Sequence, residues 1–572
     1  MSYGVGLRNG VAFALGTIPS LTSGGGLRPS LTLNFLSGSL DSRVTFSRGT
    51  QAMQYGSDGT LQYAPNNLLT YSNQADNAAW TKSNSFVQTN LLTYSQQIGG
   101  TNWITSGTGT ATVNSAVAPD GTFTATRIVN TGAFSEYQTV TVTASTSYVF
   151  SFYAKNNGGT IASYRVYNNT GSADIIPITS YFSSINDTSY TRITVAFTTP
   201  VGCTSVLVYV HSTGSAGGDL LTWGSQLVQG SVPGDYRATT SAALPVLYAD
   251  YNGALRARKL CENNVNTFHL LQNNQATVGA TQTLSVYAKA GERTQVSLQI
   301  GTSSGYFNLT TGTVVSGTNA SIISIGGGWY RCVLGGYPVA INSNCFVSIA
   351  DAGNITYAGD GSSGIYIADA QLTPGYLPLA VTETTSAAVY GPRFDYDPVT
   401  KVSRGLLIEE QRTNLVLYSD QFDNAAWTKT RCSVTANNAT SPEGVANADK
   451  LVEDGTAAST HPVSQAVTVT AAAQTASCYL KAAERTWAQI NLTGTANAFA
   501  NFNLATGAIG TIGAAATATI TAIANGWYRC TITSTTAAGA NTFAIYPATG
   551  DNVISYNGDG VSGLYVYGAQ LE

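Results

Sequence analysis

Four carboxylates crowd one short stretch of this chain, Asp395, Asp397, Glu409 and Glu410. Two of them facing one cleft could flank a glycosidic bond, one as acid and the other as base or nucleophile. The same residues also fit a plainer pattern, in which Asp395-Tyr396-Asp397-Pro398 is a turn and Glu409-Glu410 an exposed strand end, and the turn chemistry favours it. His211, His269 and His461 lie far apart and share no metal or triad spacing, so zinc and nucleophilic chemistry find no constellation. Two repeated turns, Gly359-Asp360-Gly361 and Gly558-Asp559-Gly560, put Asp360 and Asp559 where loop carboxylates could serve a structural calcium, although glycine at positive φ accounts for the pattern equally well. No other cofactor is implied, and we expect no enzyme. The seven cysteines, Cys203, Cys261, Cys332, Cys345, Cys432, Cys478 and Cys530, are odd in number without a Cys-x-x-Cys pair, and read as reduced, partly buried thiols.

The scaffold that must carry such residues is legible in composition. At 572 residues the chain calls for several domains. Only 10% of residues are charged, Gly numbers 59, and Tyr outnumbers Phe 32 to 18, which fits twisted strands joined by tight turns. Short β-branched and aromatic runs recur between Gly, Asn and Asp, and helical spacing is never sustained, so the fold class is all-β. A net charge of -4 without a Lys/Arg cluster excludes nucleic acid and anionic membrane as expected partners. No apolar run is long enough to span a bilayer as a helix. The apolar stretch Gly10 to Ile18 is too short and glycine-broken to read as a signal peptide.

Comparison of the chain with itself resolves three modules. Ser285-Val286-Tyr287-Ala288-Lys289 matches Ser477-Cys478-Tyr479-Leu480-Lys481, Gly328-Trp329-Tyr330-Arg331-Cys332 matches Gly526-Trp527-Tyr528-Arg529-Cys530, and each copy closes through Tyr-x-Gly-Asp-Gly into Ala-Gln-Leu. A weaker first copy keeps Ser151-Phe152-Tyr153-Ala154-Lys155 and Trp223-Gly224-Ser225-Gln226-Leu227. An opening element, Asn-Leu-x-x-Tyr-Ser with a Trp thirteen residues after the Asn, occurs at Asn67, Asn90 and Asn414, twice in tandem before the first module and not at all before the middle one. We expect the surplus copy at Asn67 to complete a sheet elsewhere, in the middle module or in a neighbouring subunit. The expected division is an N-terminal segment 1–65, then modules 66–238, 239–385 and 386–572, each a two-sheet jelly roll.

Repetition also sorts the aromatics. Trp80, Trp103, Trp427, Trp329 and Trp527 recur between copies, which marks scaffold. Trp487 stands where the middle module has Gln295, and Tyr306 where the last has Asn501, so these two are the candidates for stacking on sugar rings; burial in their own cores is the competing account.

Pro392-Arg393-Phe394-Asp395-Tyr396-Asp397-Pro398, followed by Gly405-Leu406-Leu407-Ile408-Glu409-Glu410-Gln411-Arg412-Thr413-Asn414-Leu415, resembles a signature of bacteriophage virion fibre and head-spike proteins. Ser42 to Arg48 with Asp58-Gly59-Thr60-Leu61 is similar to the start of that family, and the modules resemble lectin-like carbohydrate-binding jelly rolls. The resemblance implies a non-enzymatic tail or head fibre located in the virion. Its extended N-terminal attachment segment, residues 1–40 with the hinge-like Ser23-Gly24-Gly25-Gly26, would dock on a portal, adaptor, tail or capsid protein. Its modules would bind host surface polysaccharide, in a homo-oligomer for which a trimer is favoured. The alternatives are a capsid decoration or cement protein without receptor binding and, third, a polysaccharide depolymerase. This chain departs from the family in placing two modules between the opening segment and the Pro-Arg-Phe-Asp-Tyr block.

Overall fold

The computed structural model of the chain describes residues 33–274, 281–338, 344–410, 412–492 and 494–572, so nearly all of the expected docking segment 1–40 lies outside the described residues. The fold is all-β. The helical elements among the described residues are three single turns, Phe35–Ser37, Phe182–Ser184 and Ala524–Gly526. The chain divides into two compact units, one joining the residues up to Pro65 with Tyr390–Glu572, the other running Asn66–Val389.

The first unit holds the last module, a sandwich of two six-stranded sheets. One sheet orders Thr428–Lys429, Val463–Val469, Gly539–Ala548, Trp487–Leu492, Phe499–Asn503 and Ala508–Ile512; the other orders Cys432–Thr440, Ala446–Glu453, Gly563–Leu571, Ala472–Ala482, Tyr528–Thr536 and Thr517–Ala522. Alternation builds it. Val463, Val467 and Val469 point into the sandwich while Ala466 and Thr468 face out. Inside, Leu480, Ile490, Phe502, Phe543, Ile545 and Val566 form the core. The hairpin Met53–Tyr55 with Leu61–Tyr63 packs Met53, Tyr55 and Leu61 on the outer aromatics Tyr479, Trp527 and Tyr567, with the Tyr55 and Tyr479 hydroxyls 3.0 Å apart. Residues 53–63 therefore belong to the last module's fold and not to a separate leading segment.

The second unit nests one module in another. Trp80–Ser83 pairs with Asn266–Asn274, and Ser85–Val87 with Leu255–Glu262, so the opening element at Asn67 joins the middle module's two sheets. That is the first of the two destinations expected for it, and it lies in the same chain. The first module is inserted between them. Thr89–Asn90 pairs with Leu244–Pro245 at its base, and its strands form one continuous sheet through the long strands Ala125–Thr141 and Gly218–Gln229. The linear boundaries 66–238 and 239–385 thus cut across the structure, because strand pairing returns residues 66–88 to the middle module.

One side chain closes each module. Asn67 Oδ1 accepts from Leu69 N at 3.1 Å and Leu372 N at 3.1 Å, while its Nδ2 donates to the carbonyls of Ala370 at 3.0 Å and Thr382 at 2.9 Å. Asn90 repeats the pattern with Leu92 N, Leu227 N and the carbonyls of Ser225 and Arg237. Asn414 Oδ1 likewise accepts from Val416 N and Leu571 N, and Nδ2 donates to the Ala569 carbonyl. The amide is the one short side chain with two donors and two acceptor lone pairs, and in this setting it ties the opening loop to the closing strand. Each opening tyrosine, Tyr71, Tyr94 and Tyr418, sits at φ near +50°, and its carbonyl takes the indole N–H of Trp80, Trp103 or Trp427. Replacing Asn67 by Ala strands buried backbone groups that each cost about 1–3 kcal/mol, so Asn67→Ala is expected to destabilise the second unit by at least about 3 kcal/mol in urea unfolding.

Glu136 lies wholly buried on the strand Ala125–Thr141, accepting the Thr105 hydroxyl at 2.6 Å and paired across the sheet with His211. Burial pushes its carboxyl up to about 7 against the opposing hydrogen bonds from Thr105 and Gly99, and burial pushes His211 down to about 4. A raised folded pKa means that the neutral acid's stability is fully present below the ordinary carboxylate pKa and is lost as pH rises through about 7. Between pH 4.5 and 7.5 Glu136 alone is expected to cost the second unit up to about 3 kcal/mol. The buried neutral His211 opposes this, because its contribution grows as pH rises through the same window. Glu136→Gln removes the first effect only and is expected to make melting temperature rise more steeply with pH in thermal melts.

Candidate functional site

The strand Trp487–Leu492 sends Ala488, Ile490 and Leu492 into the core, which turns Trp487, Gln489 and Asn491 to the outer face of their sheet. Tyr546 stands directly across from Gln489, so the half-buried Trp487 and Tyr546 share this face with a row of amides. Gln489 Nε2 donates to Asn501 Oδ1 at 3.1 Å and Asn552 Oδ1 at 3.3 Å, and Asn501 Nδ2 donates to the Thr511 carbonyl at 3.0 Å. Asp551 closes the row by accepting Thr511 N at 2.7 Å and its hydroxyl at 2.9 Å. The Trp487 ring lies against Gly510, where an added Cβ would stand 2.7 Å from it. Burial raises the Tyr546 phenol pKa, which keeps it a neutral donor and acceptor.

Tyr306 occupies the corresponding sheet of the middle module. Gly305 and Phe307 are buried and Tyr306 points outward between Ser297 and Ser316 on the neighbouring strands. Half-buried Phe346 pairs with Gln272 and Gln299 on the same face. On the first module's continuous sheet Tyr137 and Tyr209 lie 4.7 Å apart, and Arg165 stands over Tyr167 at 4.5 Å while paired with Asp174 at 2.5 Å. Sequence comparison passed over Tyr546, Phe346 and this Tyr/Arg strip. The alternation in Ser163-Tyr164-Arg165-Val166-Tyr167 was the signal for the last. The recurring tryptophans Trp80, Trp103, Trp427, Trp329 and Trp527 are all buried.

The remaining chemical candidates are committed to the scaffold. Asp360 Oδ1 accepts Ser362 N at 2.8 Å and Ser363 N at 2.7 Å; Asp559 Oδ1 accepts Val561 N at 2.9 Å and Ser562 N at 2.7 Å. Burial works to raise Asp360, but the hydrogen bonds from Ser363 and Ser362 offset it and hold the carboxyl at about 2. Both turns rest on a buried glutamate. Glu262 takes Asp360 N, the Tyr357 hydroxyl and Arg293, and Glu453 takes Asp559 N, the Tyr556 hydroxyl and Arg485. These carboxylates cap turns, and no cluster of three His, Cys, Asp or Glu residues among the described residues has metal-binding geometry. Asp395 accepts Tyr55 N, Asp397 caps its own turn, and both face Arg404, while Glu409 pairs with Arg393 and Glu410 with Arg412, so each of the four is held by an arginine. His269 and His461 face the carbonyls of Asn84 and Arg431. All seven cysteines are free thiols and six are buried.

No family model and no curated protein matches the chain. Among solved structures it is similar to the N-terminal CBM22-1-CBM22-2 tandem domain of Xyn10C from Paenibacillus barcinonensis, at 16% identity over 50% of this chain and 97% of that one, with a TM-score of 0.20. The CBM22-1 xylan-binding domain of the same protein matches at 17% identity over 24% and 94%, TM-score 0.20. The enzymatically active domain of tailspike protein 4 of bacteriophage CBA120 matches at 18% identity over 24% of this chain and 21% of that chain, TM-score 0.20. At these scores the fold assignment rests on the sheets themselves.

Proposed function

We propose that the chain is a non-enzymatic bacteriophage virion appendage, of the tail-fibre or head-spike kind, whose modules bind glycans of the host surface through the outer sheet faces carrying Trp487 and Tyr306. The observation that carries the binding role is the last module's face. There Trp487 and Tyr546 offer flat, half-exposed rings beside Asn491, the pairing that sugar rings and their hydroxyls require, over a buried amide pair, Gln489 and Asn501, that fixes the face. The signature around Pro392–Asp397 supports the virion assignment. Residues 1–40 dock on another particle protein, and a homo-oligomer, taken as a trimer, presents several weak sites at once.

The test is binding of the full chain to a panel of purified bacterial lipopolysaccharides and capsular polysaccharides by biolayer interferometry. Binding to at least one is expected, with no new reducing ends released. Trp487→Ala is expected to weaken it about tenfold or more, a loss of about 1.4 kcal/mol, while the unfolding midpoint stays unchanged. Absence of binding across the panel would leave a structural decoration protein, and release of reducing ends would make the chain a depolymerase.

A further inference from the structure

In the first module the strands Ser163–Asn168 and Ser205–Thr213 lie side by side, and the second of them pairs with the later part of Ala125–Thr141. Val166, Val206, Val208 and Val210 point into the core, so alternation turns Arg165, Tyr167, Leu207 and Tyr209 to the outer face. Tyr137 joins them there, directly across from Tyr209. On this face the Arg165 guanidinium lies over two rings at once, 4.5 Å from the centroid of Tyr167 and 5.5 Å from that of Tyr209. Asp174, on the adjacent strand Ala173–Ser180, takes its Nε at 2.5 Å.

Stacking on the rings and the bond to Asp174 fix the plane of the guanidinium and leave its far edge unused. Both Nη atoms lack a hydrogen-bond partner among the described residues and are open to solvent, on a side chain 26% exposed. The corresponding strands of the other modules, Gln295–Ile300 and Trp487–Leu492, each lie between the same two neighbours and contain no charged residue. A held cation on the outer face therefore sets the first module apart.

We propose that this face is a second binding site, specific for acidic polysaccharide, in which the Nη edge of Arg165 pairs with the carboxylate of a hexuronate residue. The same sugar or its neighbour in the chain lies against the half-buried ring of Tyr137, on the far side of Tyr209. Because Nε serves Asp174 and the Nη edge serves the ligand, binding breaks no bond within the protein, and a planar fork meets a planar carboxylate. A glutamate side chain brings the carboxylate without a ring face to cover Tyr137, which favours the sugar over an acidic polypeptide. The inference rests on the reading of these modules as glycan-binding and adds that they sort glycans by charge, uronate chains on the first module and neutral chains on the last.

The full chain is measured by biolayer interferometry against bacterial capsular polysaccharides that contain glucuronate or galacturonate, each beside its carboxyl-reduced form, and against poly-glutamate. Saturable binding to at least one uronate polymer is expected, weakened at least tenfold by carboxyl reduction and at least tenfold by Arg165→Gln. Arg165→Lys, which keeps the charge and loses the fork, is expected to recover only part of that loss, and Trp487→Ala to leave uronate binding unchanged. Carboxyl reduction alters the ligand alone, so it stays readable if Arg165→Gln lowers the melting midpoint. Equal binding of the reduced polymers, indifference to Arg165→Gln, absence of binding to every uronate polymer, or poly-glutamate bound as tightly as the uronate polymer would each overturn the proposal. Neutral polysaccharide bound through Trp487 tests the glycan-binding reading by itself, so loss of the acidic arm alone leaves that reading standing.

Discussion

A carboxamide behind the opening loop, buried in Asn67 and Asn90 and half-buried in Asn414, holds each module shut. Asn67 and Asn90 each spend two acceptor and two donor bonds on main-chain groups from three separate stretches of chain, the opening loop, the closing strand and the segment that follows it. Neither aspartate nor leucine of similar size could do so, the first for want of donors and the second for want of any polar atom. Because these bonds join the beginning of a module to its end, they close a long loop of chain. The sandwich core can then form only with the opening element in place.

That closure explains how modules can be nested. Where Asn90 reaches the Arg237 carbonyl at 2.9 Å, the chain enters and leaves the first module at one point, and Thr89–Asn90 pairs with Leu244–Pro245 beside it. Where Asn67 reaches Thr382, the second unit likewise begins and ends together. An insertion whose ends are hydrogen-bonded to each other asks only for a loop's separation at the host site, so a whole sandwich can occupy a position where a turn would serve. The tandem Asn67 and Asn90 elements are the trace of this in sequence, since the outer module's opening must precede the inner module's.

The scaffold was legible because the chain contains its own comparisons. Trp329 and Trp527 recur since both cover an outer sheet face, and the Asn-Leu-x-x-Tyr-Ser copies recur since the clasp needs that spacing. Nesting was only half legible. The orphaned Asn67 element signalled a missing partner, but pairing Trp80–Ser83 with Asn266–Asn274 is a long-range event that local pattern does not encode. The outward placement of Trp487 and Tyr306 was legible where repeats disagreed. It was not legible at Tyr546 or at the Tyr137 and Tyr209 pair, because the first module is too divergent to give a register and cross-strand neighbours depend on that register. Asp360 and Asp559 show the converse: recurrence there reflects a turn capped by its own carboxylate above a buried Glu–Arg–Tyr cluster.

The middle and last sandwiches each have two sheets and the first module one continuous sheet, and in all three the outer aromatics fall into two groups. In one group the outer tyrosines and tryptophans are covered. Tyr251 stacks on Tyr287 at 3.9 Å, Tyr236 packs on Trp223 at 4.6 Å, and Tyr55 meets Tyr479. In the other group the outer aromatics, Trp487, Tyr306 and Phe346, have no covering segment among the described residues and sit among amides and hydroxyls instead. Covering apolar rings stabilises a fold, whereas leaving rings half-exposed forgoes that gain. A scaffold that covers one group of outer aromatics in every module and leaves others half-exposed, at residues that differ between modules, draws its stability mainly from the covered group. Each open ring can then be substituted without loosening the clasp beneath it.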